Sequence, residues 1–195
     1  EEASDTWVVP YRYMESGWFD YQPMSLIYPT ALWNICGEEA DWLVIQEIED
    51  KESYDWRSVS SFHSKEDAGH EQPWLAYLQG RNPDYPVRIL QASLAQVYRR
   101  MAQIRQDETD PRDNHIHWWQ QLNPVTTEAL IQLTLGAPQL IYNGGLLHAP
   151  VRYFDPDRSR PGLPPEVSAL VEKVETRFLQ IHLINTSALE SRSVV

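Results

Sequence analysis

Apolar residues recur at intervals of three and four through the first two thirds of the chain, which is the spacing of one helix face. The longest such run covers residues 86–106, and four shorter ones cover 25–36, 38–49, 71–79 and the stretch after Asn123. The long run has a continuous series of apolar positions at Val87, Leu90, Leu94, Val97, Met101 and Ile104. We therefore predict that residues 25–136 are predominantly helical.

Local signals predict where these helices begin and end. Gly37, Gly80 and Gly136 follow three of the runs at the position of a C-cap, where a left-handed backbone favours glycine. Asn123 is expected to cap the last helix, with Pro124 in its first turn. Because the first two runs are separated by little more than Gly37, they are expected to form an antiparallel helical hairpin.

After residue 138 the pattern changes to short alternating runs. Residues 140–142 and 146–147 are predicted to pair as strands about a tight turn, and 152–154 to extend a strand. Longer strands are predicted at 170–175 and 178–185, and the start of another at 191–195. Helices followed by strands indicate an α+β fold. We expect a helical domain over 1–138 and the start of a β-sandwich-like domain over 139–195, with a Pro-rich connection at 155–165.

Residues 1–24 are predicted to be irregular, because Pro10, Gly17 and Pro23 interrupt any period. The chain opens on Glu1 without an initiator Met, and it closes on a run that resembles an interrupted strand ending at Val195. We therefore expect it to be a piece of a larger protein, with the remainder of that protein as a partner. An uncovered apolar flank, and an unpaired edge at residues 194–195, should follow.

Charge and composition narrow the possible partners. The net charge of −12 argues against nucleic acid, whose phosphates require a basic patch. No apolar run is long enough to span a bilayer, so no membrane partner is expected. The lone Cys36 is predicted to be a small core residue. No sequence motif indicates a cofactor, and we predict neither a cofactor nor a metal.

Eight Trp and ten Tyr accompany only four Phe, in a chain with 28 carboxylates. Such a composition is typical of sugar-binding clefts, where rings stack on pyranose faces and acids bind hydroxyl groups. The aromatic segment 18–21, the paired helices and the late strands from Phe178 onward resemble the (α/α) toroid glycosidases and polysaccharide lyases over residues 18–195. That resemblance implies a partial toroid of helical hairpins followed by an antiparallel β-domain, and carbohydrate as the substrate.

Two acidic groups are needed to hydrolyse a glycosidic bond, and polar residues in loops beside predicted helices supply the candidates. The predicted catalytic residues are Asp20, His70, Glu71 and His117. The predicted substrate-binding residues are Trp18, Tyr21, Trp74, Trp118, Trp119 and Asn123.

Each of these segments has a structural alternative. Glu71 could simply support the first turn of its helix, and His70 could cap a packed loop. His115 and His117 lie on one side of an extended chain, and with Asp113 they could hold a metal. The leading hypothesis is a fragment of a carbohydrate-active enzyme, and the alternative is a non-catalytic helical scaffold or structural module of a larger protein.

Overall fold

The computed structural model describes residues 7–13, 18–51, 59, 71–113, 115, 118, 122–125, 127–139 and 148–195. Its elements form a mixed α+β fold. The helices are α1 (Ile27–Cys36), α2 (Glu39–Lys51), α3 (Glu71–Leu78), α4 (Tyr85–Gln106) and the short α5 (Glu128–Leu130), which continues as a π-helical turn, Ile131–Leu135. The strands are β1 (Val8–Tyr13), β2 (Trp18–Pro23), β3 (Phe154–Asp155), β4 (Arg160–Pro161), β5 (Val167–Glu175) and β6 (Phe178–Asn185).

Glycines end the helices where the sequence predicts. Gly37 has φ 66° and its N–H donates to the carbonyl of Trp33 at 2.8 Å, which closes α1. Gly136 has φ 63° and ends the π-helical turn in the same way. Helix α2 begins two residues after Gly37, and the two helices pack against each other. Both glycines adopt a left-handed conformation that costs other residues about 1–2 kcal/mol.

The last helix begins later than predicted. It starts at Glu128, not after Asn123, so the prediction of an Asn123 cap was wrong. The Asn123 side chain does accept the N–H of Val125 at 3.0 Å, which forms a local turn. That turn does not propagate, because the β-branched Val125 and Thr127 follow it and weaken helix formation.

The N-terminal segment is also more regular than predicted. β1 and β2 form an antiparallel ladder in which Val8 lies opposite Pro23 and Tyr13 lies opposite Trp18. The aromatic residues of β2 favour a strand. Pro10 is tolerated because, among the described strands, β1 pairs on one side only. The prediction of an irregular segment was therefore wrong for residues 8–13 and 18–23.

One apolar core joins the helices to β5. Its buried members come from α1 to α5, the π-helical turn and Leu26, and Leu170 and Val174 of β5 pack against them. β5 pairs with β6 about a turn at Thr176 and Arg177, with an irregularity between Val171 and Lys173. These two strands lie where the alternating pattern predicts them. The division into two domains at residue 138 stays a prediction.

The C-terminal residues differ from expectation in two ways. No strand forms over residues 191–195, yet Val195 donates its N–H to the Phe154 carbonyl at 3.0 Å and accepts the N–H of Phe154 at 2.6 Å. The predicted unpaired edge at Val195 was therefore wrong. The Pro-rich segment 155–165 contains β4, which pairs with β3.

Two further predictions concern the remaining chain. The strands predicted within 140–147 lie outside the described residues.

Cys36 is exposed at the end of α1, so its predicted place in the core was wrong. Among the described residues, no helix combines the length and the hydrophobicity needed to cross a bilayer.

Candidate functional site

Two of the predicted site residues lie in the protein core. Glu71 and Trp74, both on α3, are 0% exposed. The Oε1 atom of Glu71 accepts the backbone N–H of Gln139 at 2.6 Å, which joins the first turn of α3 to a residue 68 positions later. A polysaccharide cannot reach either side chain without the core opening.

Glu71 belongs to a buried polar cluster that also contains Tyr85, Gln132 and Gln139, all fully buried. The Tyr85 hydroxyl donates to Oε1 of Gln132 at 2.5 Å. Burial, together with the charge of Glu71, raises the pKa of Tyr85 well above its usual value. One hydrogen bond of the cluster joins α3 to Gln139, and another joins α4 to the π-helical turn. Buried hydrogen bonds of this kind help to fix how these elements pack. Glu71 thus has a structural contact, made with the distant backbone of Gln139 and not with the first turn of α3.

Other predicted residues lie at the surface. Trp118 is 39% exposed, and its indole Nε1–H donates to Oδ2 of Asp107 at 3.1 Å. Hydrogen bonds from Thr109 and Trp118 lower the pKa of Asp107. Tyr21 is exposed on β2. Because Trp118 and Tyr21 lie at the surface while Glu71 and Trp74 lie in the core, these four side chains do not form one site.

The other candidates are only partly placed. Trp18 and Asp20 lie on β2, where Asp20 is opposite Tyr11 in the ladder. The carbonyl of Asn123 accepts a hydrogen bond from the Arg100 guanidinium. His70, His117 and Trp119 lie outside the described residues. The predicted placement of His115 and His117 on one side of the chain therefore also lies outside them. Within the described part of the chain, no group of three or more His, Cys, Asp or Glu residues could hold a metal ion.

A cleft that the sequence did not predict lies between the α1–α2 pair and the β5–β6 turn. It consists of two adjoining cavities of about 480 and 510 Å³, which share Trp33 and residues 174–178. The rings of Trp33 and Trp42 are 4.7 Å apart between centroids, tilted by 44°. The charged residues around the cleft are Glu39, Glu175 and Arg177.

Asn34 lies at one end of this cleft, beside His148. Its Nδ2 donates to the His148 carbonyl at 2.9 Å. Its Oδ1 is buried and has no hydrogen-bond partner within the described structure. The sequence signal that could have located the cleft is the position of Trp33 and Trp42 on either side of Gly37.

The second surface feature is the side of α4 that faces away from the core. Since successive residues of an α-helix are about 100° apart, Val87, Leu90, Leu94 and Tyr98 project within an arc of about 80°. All four are exposed, Leu94 by 53% and Tyr98 by 68%. The buried residues of α4 are Tyr85, Ile89 and Gln96, on the opposite side. We call the four exposed residues the outer α4 face.

The charges of α4 contrast with those of the whole chain. The sequence Tyr85–Gln106 contains four arginines and no acidic residue, whereas the chain carries −12. Arg88, Arg99 and Arg105 are exposed, and within the described structure none of them forms an ion pair. The outer α4 face is therefore an apolar stripe on a helix whose exposed arginines form no ion pair within the described part of the chain.

A family model described as "Domain of unknown function (DUF8034)" matches residues 1–131, a span that includes β1, β2 and α1 to α4. No curated protein and no solved structure matches the chain.

Proposed function

This chain belongs to the DUF8034 family, and we propose that it is a non-catalytic helical module that docks on a protein partner through the outer α4 face. The observation that carries the proposal is the direction in which α4 points its apolar residues. A helix normally turns such a stripe towards the core. Here Val87, Leu90, Leu94 and Tyr98 face outward, while α4 packs on the core through its opposite side.

The free energy of covering this face favours docking. Full burial of a Val or Leu side chain is worth about 1.5–3 kcal/mol. Since Leu94 is already about half covered, its remaining area is worth about 1 kcal/mol, and the four residues together contribute about 4 kcal/mol. A surface of this kind acts as the centre of an interface whose polar rim adds specificity.

Carbohydrate turnover at the predicted catalytic residues has weaker support. Glu71 is fully buried and holds the Gln139 backbone, and Trp74 is part of the core. A general acid or a stacking platform has to reach the sugar. Glu71 is the predicted catalytic residue whose side chain the structure describes, and that side chain is used for packing.

A pair of matched variants tests the proposal. Leu94→Asp places a charge at the centre of the outer α4 face, and Leu43→Asp places one on α2, at a leucine that is 51% exposed. Because both sites are exposed, both variants should fold, which circular dichroism will verify. In extracts of the cells that make the protein, wild type and Leu43→Asp should elute from a sizing column in a complex, and Leu94→Asp as the free chain. Unchanged elution of Leu94→Asp would contradict the proposal.

A second candidate function is saccharide binding in the cleft. It is supported by the Trp33–Trp42 pair beside Glu39, Glu175 and Arg177, which combines aromatic rings with groups that bind hydroxyls. An oligosaccharide array probed with the intact chain should then give a signal that Trp42→Ala removes and Trp118→Ala leaves intact. A signal that Trp42→Ala does not change would exclude the cleft as the site.

A further inference from the structure

We infer that the partner of the outer α4 face is an acidic amphipathic helix. This inference rests on the proposed function, because it names the occupant of the same surface. An apolar arc of about 80° is narrow, and such a stripe matches the seam between two packed helices. The exposed part of α4 extends from Val87 to Arg105, which is long enough to accept several turns of a partner helix.

Charge on the flank of the face specifies the chemistry of that helix. Arg88 and Arg99 lie on the same side of the stripe, about 100° and 120° round from Val87 and about 16 Å apart along the axis. Arg105 lies in line with the stripe at its C-terminal end. A partner with carboxylates along one edge, roughly three turns apart, pairs with Arg88 and Arg99 while its leucines cover Leu90 and Leu94.

Two other occupants fit less well. A second copy that packed its own α4 against this face would bring arginines towards arginines, since α4 has no acidic residue. An anionic membrane attracts arginine, but the rest of this chain carries the opposite charge to α4, and the net −12 opposes approach to such a surface. Helices that lie in a bilayer interface also bury a broad apolar face among the lipids, whereas the outer α4 face spans only about 80°.

A display selection against the intact chain tests this inference. The library consists of helical peptides with apolar residues at positions i, i+3, i+7 and i+11, and with Glu, Gln or Lys at the flanking positions. Wild type should enrich Glu over Lys at the flanks by about fivefold, the contribution of two exposed ion pairs. The charge-reversed variant Arg88→Glu/Arg99→Glu should invert that preference. Leu94→Asp should abolish enrichment, and Leu43→Asp should preserve it.

The failures can be told apart. Enrichment without a preference for Glu, or a preference that Arg88→Glu/Arg99→Glu does not invert, overturns the inferred partner and leaves the docking face intact. Enrichment that survives in Leu94→Asp overturns the docking face itself. Absence of any enriched peptide overturns the inferred helix.

Two further experiments test the other possible occupants of the outer α4 face. Sedimentation velocity should show a monomer, and a dimer that Leu94→Asp dissociates would identify a second copy as the occupant. Vesicles of phosphatidylcholine and phosphatidylserine should not co-sediment with the chain. Co-sedimentation that Leu94→Asp removes would identify a lipid surface, and either result would overturn the inference.

Discussion

Substitution of Gly136 by alanine should destabilise the protein through two separable effects. The first is conformational, since φ at Gly136 is +63°, and a left-handed backbone costs a residue with a Cβ about 1–2 kcal/mol. The second is steric. A Cβ at this position would lie 3.0 Å from Cγ1 of Val171 and 3.2 Å from Cγ2 of Val174, both on β5. Overpacking of this kind costs about 1–3 kcal/mol.

Gly80 provides the matched control, because it has φ +75° and open space where a Cβ would lie. Gly80→Ala should therefore lower the free energy of unfolding by about 1–2 kcal/mol, and Gly136→Ala by about 2–5 kcal/mol. Urea denaturation followed by tryptophan fluorescence measures both. Adding Val171→Ala to Gly136→Ala should make the two changes less than additive, because the smaller side chain relieves the contact. Equal losses for the two glycine variants would refute the close contact between the helical end and β5.

The remaining predictions concern the candidate site residues and use the same unfolding assay unless stated. Trp74→Ala should lower the free energy of unfolding by about 3–5 kcal/mol, because it truncates a core side chain. Trp118→Ala should lower it by about 1 kcal/mol, the contribution of one hydrogen bond. Equal losses would contradict the placement of Trp74 in the core and Trp118 at the surface. Glu71→Ala should cost about 1–3 kcal/mol, because it leaves the buried N–H of Gln139 without its acceptor, and Glu71→Gln should cost less; no loss in Glu71→Ala would contradict that role. Because Asp107 has a lowered pKa in the folded protein, its bond to Trp118 should persist through the pH range in which carboxyl groups usually titrate and be lost only below that range. The indole N–H resonance of Trp118 reports this, and a titration above that range would contradict it.

Helix positions could be predicted from the sequence because their signals are local. The ends at Gly37 and Gly136 depend on a left-handed backbone that few residues other than glycine adopt, so a single position carries the information. The β5–β6 pair follows from alternation and a short turn in the same way. The β1–β2 ladder could not be predicted in this way, because Pro10 and Pro23 interrupt the pattern that would mark its strands.

The candidate site could not be predicted in the same way, because burial depends on distant partners. Residues 73–78 of α3 are all buried, so α3 has no polar side that would reveal the place of Glu71. Its hydrogen bond to Gln139 spans 68 residues. The apolar period of α4 likewise predicts a helix, but it does not show whether the stripe through Leu94 faces the core or the surface. The side of α4 that packs against the core contains Tyr85, Ile89 and Gln96.

Site-specific photo-cross-linking from α4 tests the central claim most directly. A photoreactive phenylalanine analogue replaces Tyr98, which is 68% exposed on the outer α4 face, or Tyr28, which is 55% exposed on α1. In the native cell, the probe at Tyr98 should give one discrete adduct with another protein, and Leu94→Asp should remove it, while the probe at Tyr28 gives none. If both positions give the same adducts, or if the Tyr98 adduct survives Leu94→Asp, the outer α4 face is not the docking surface.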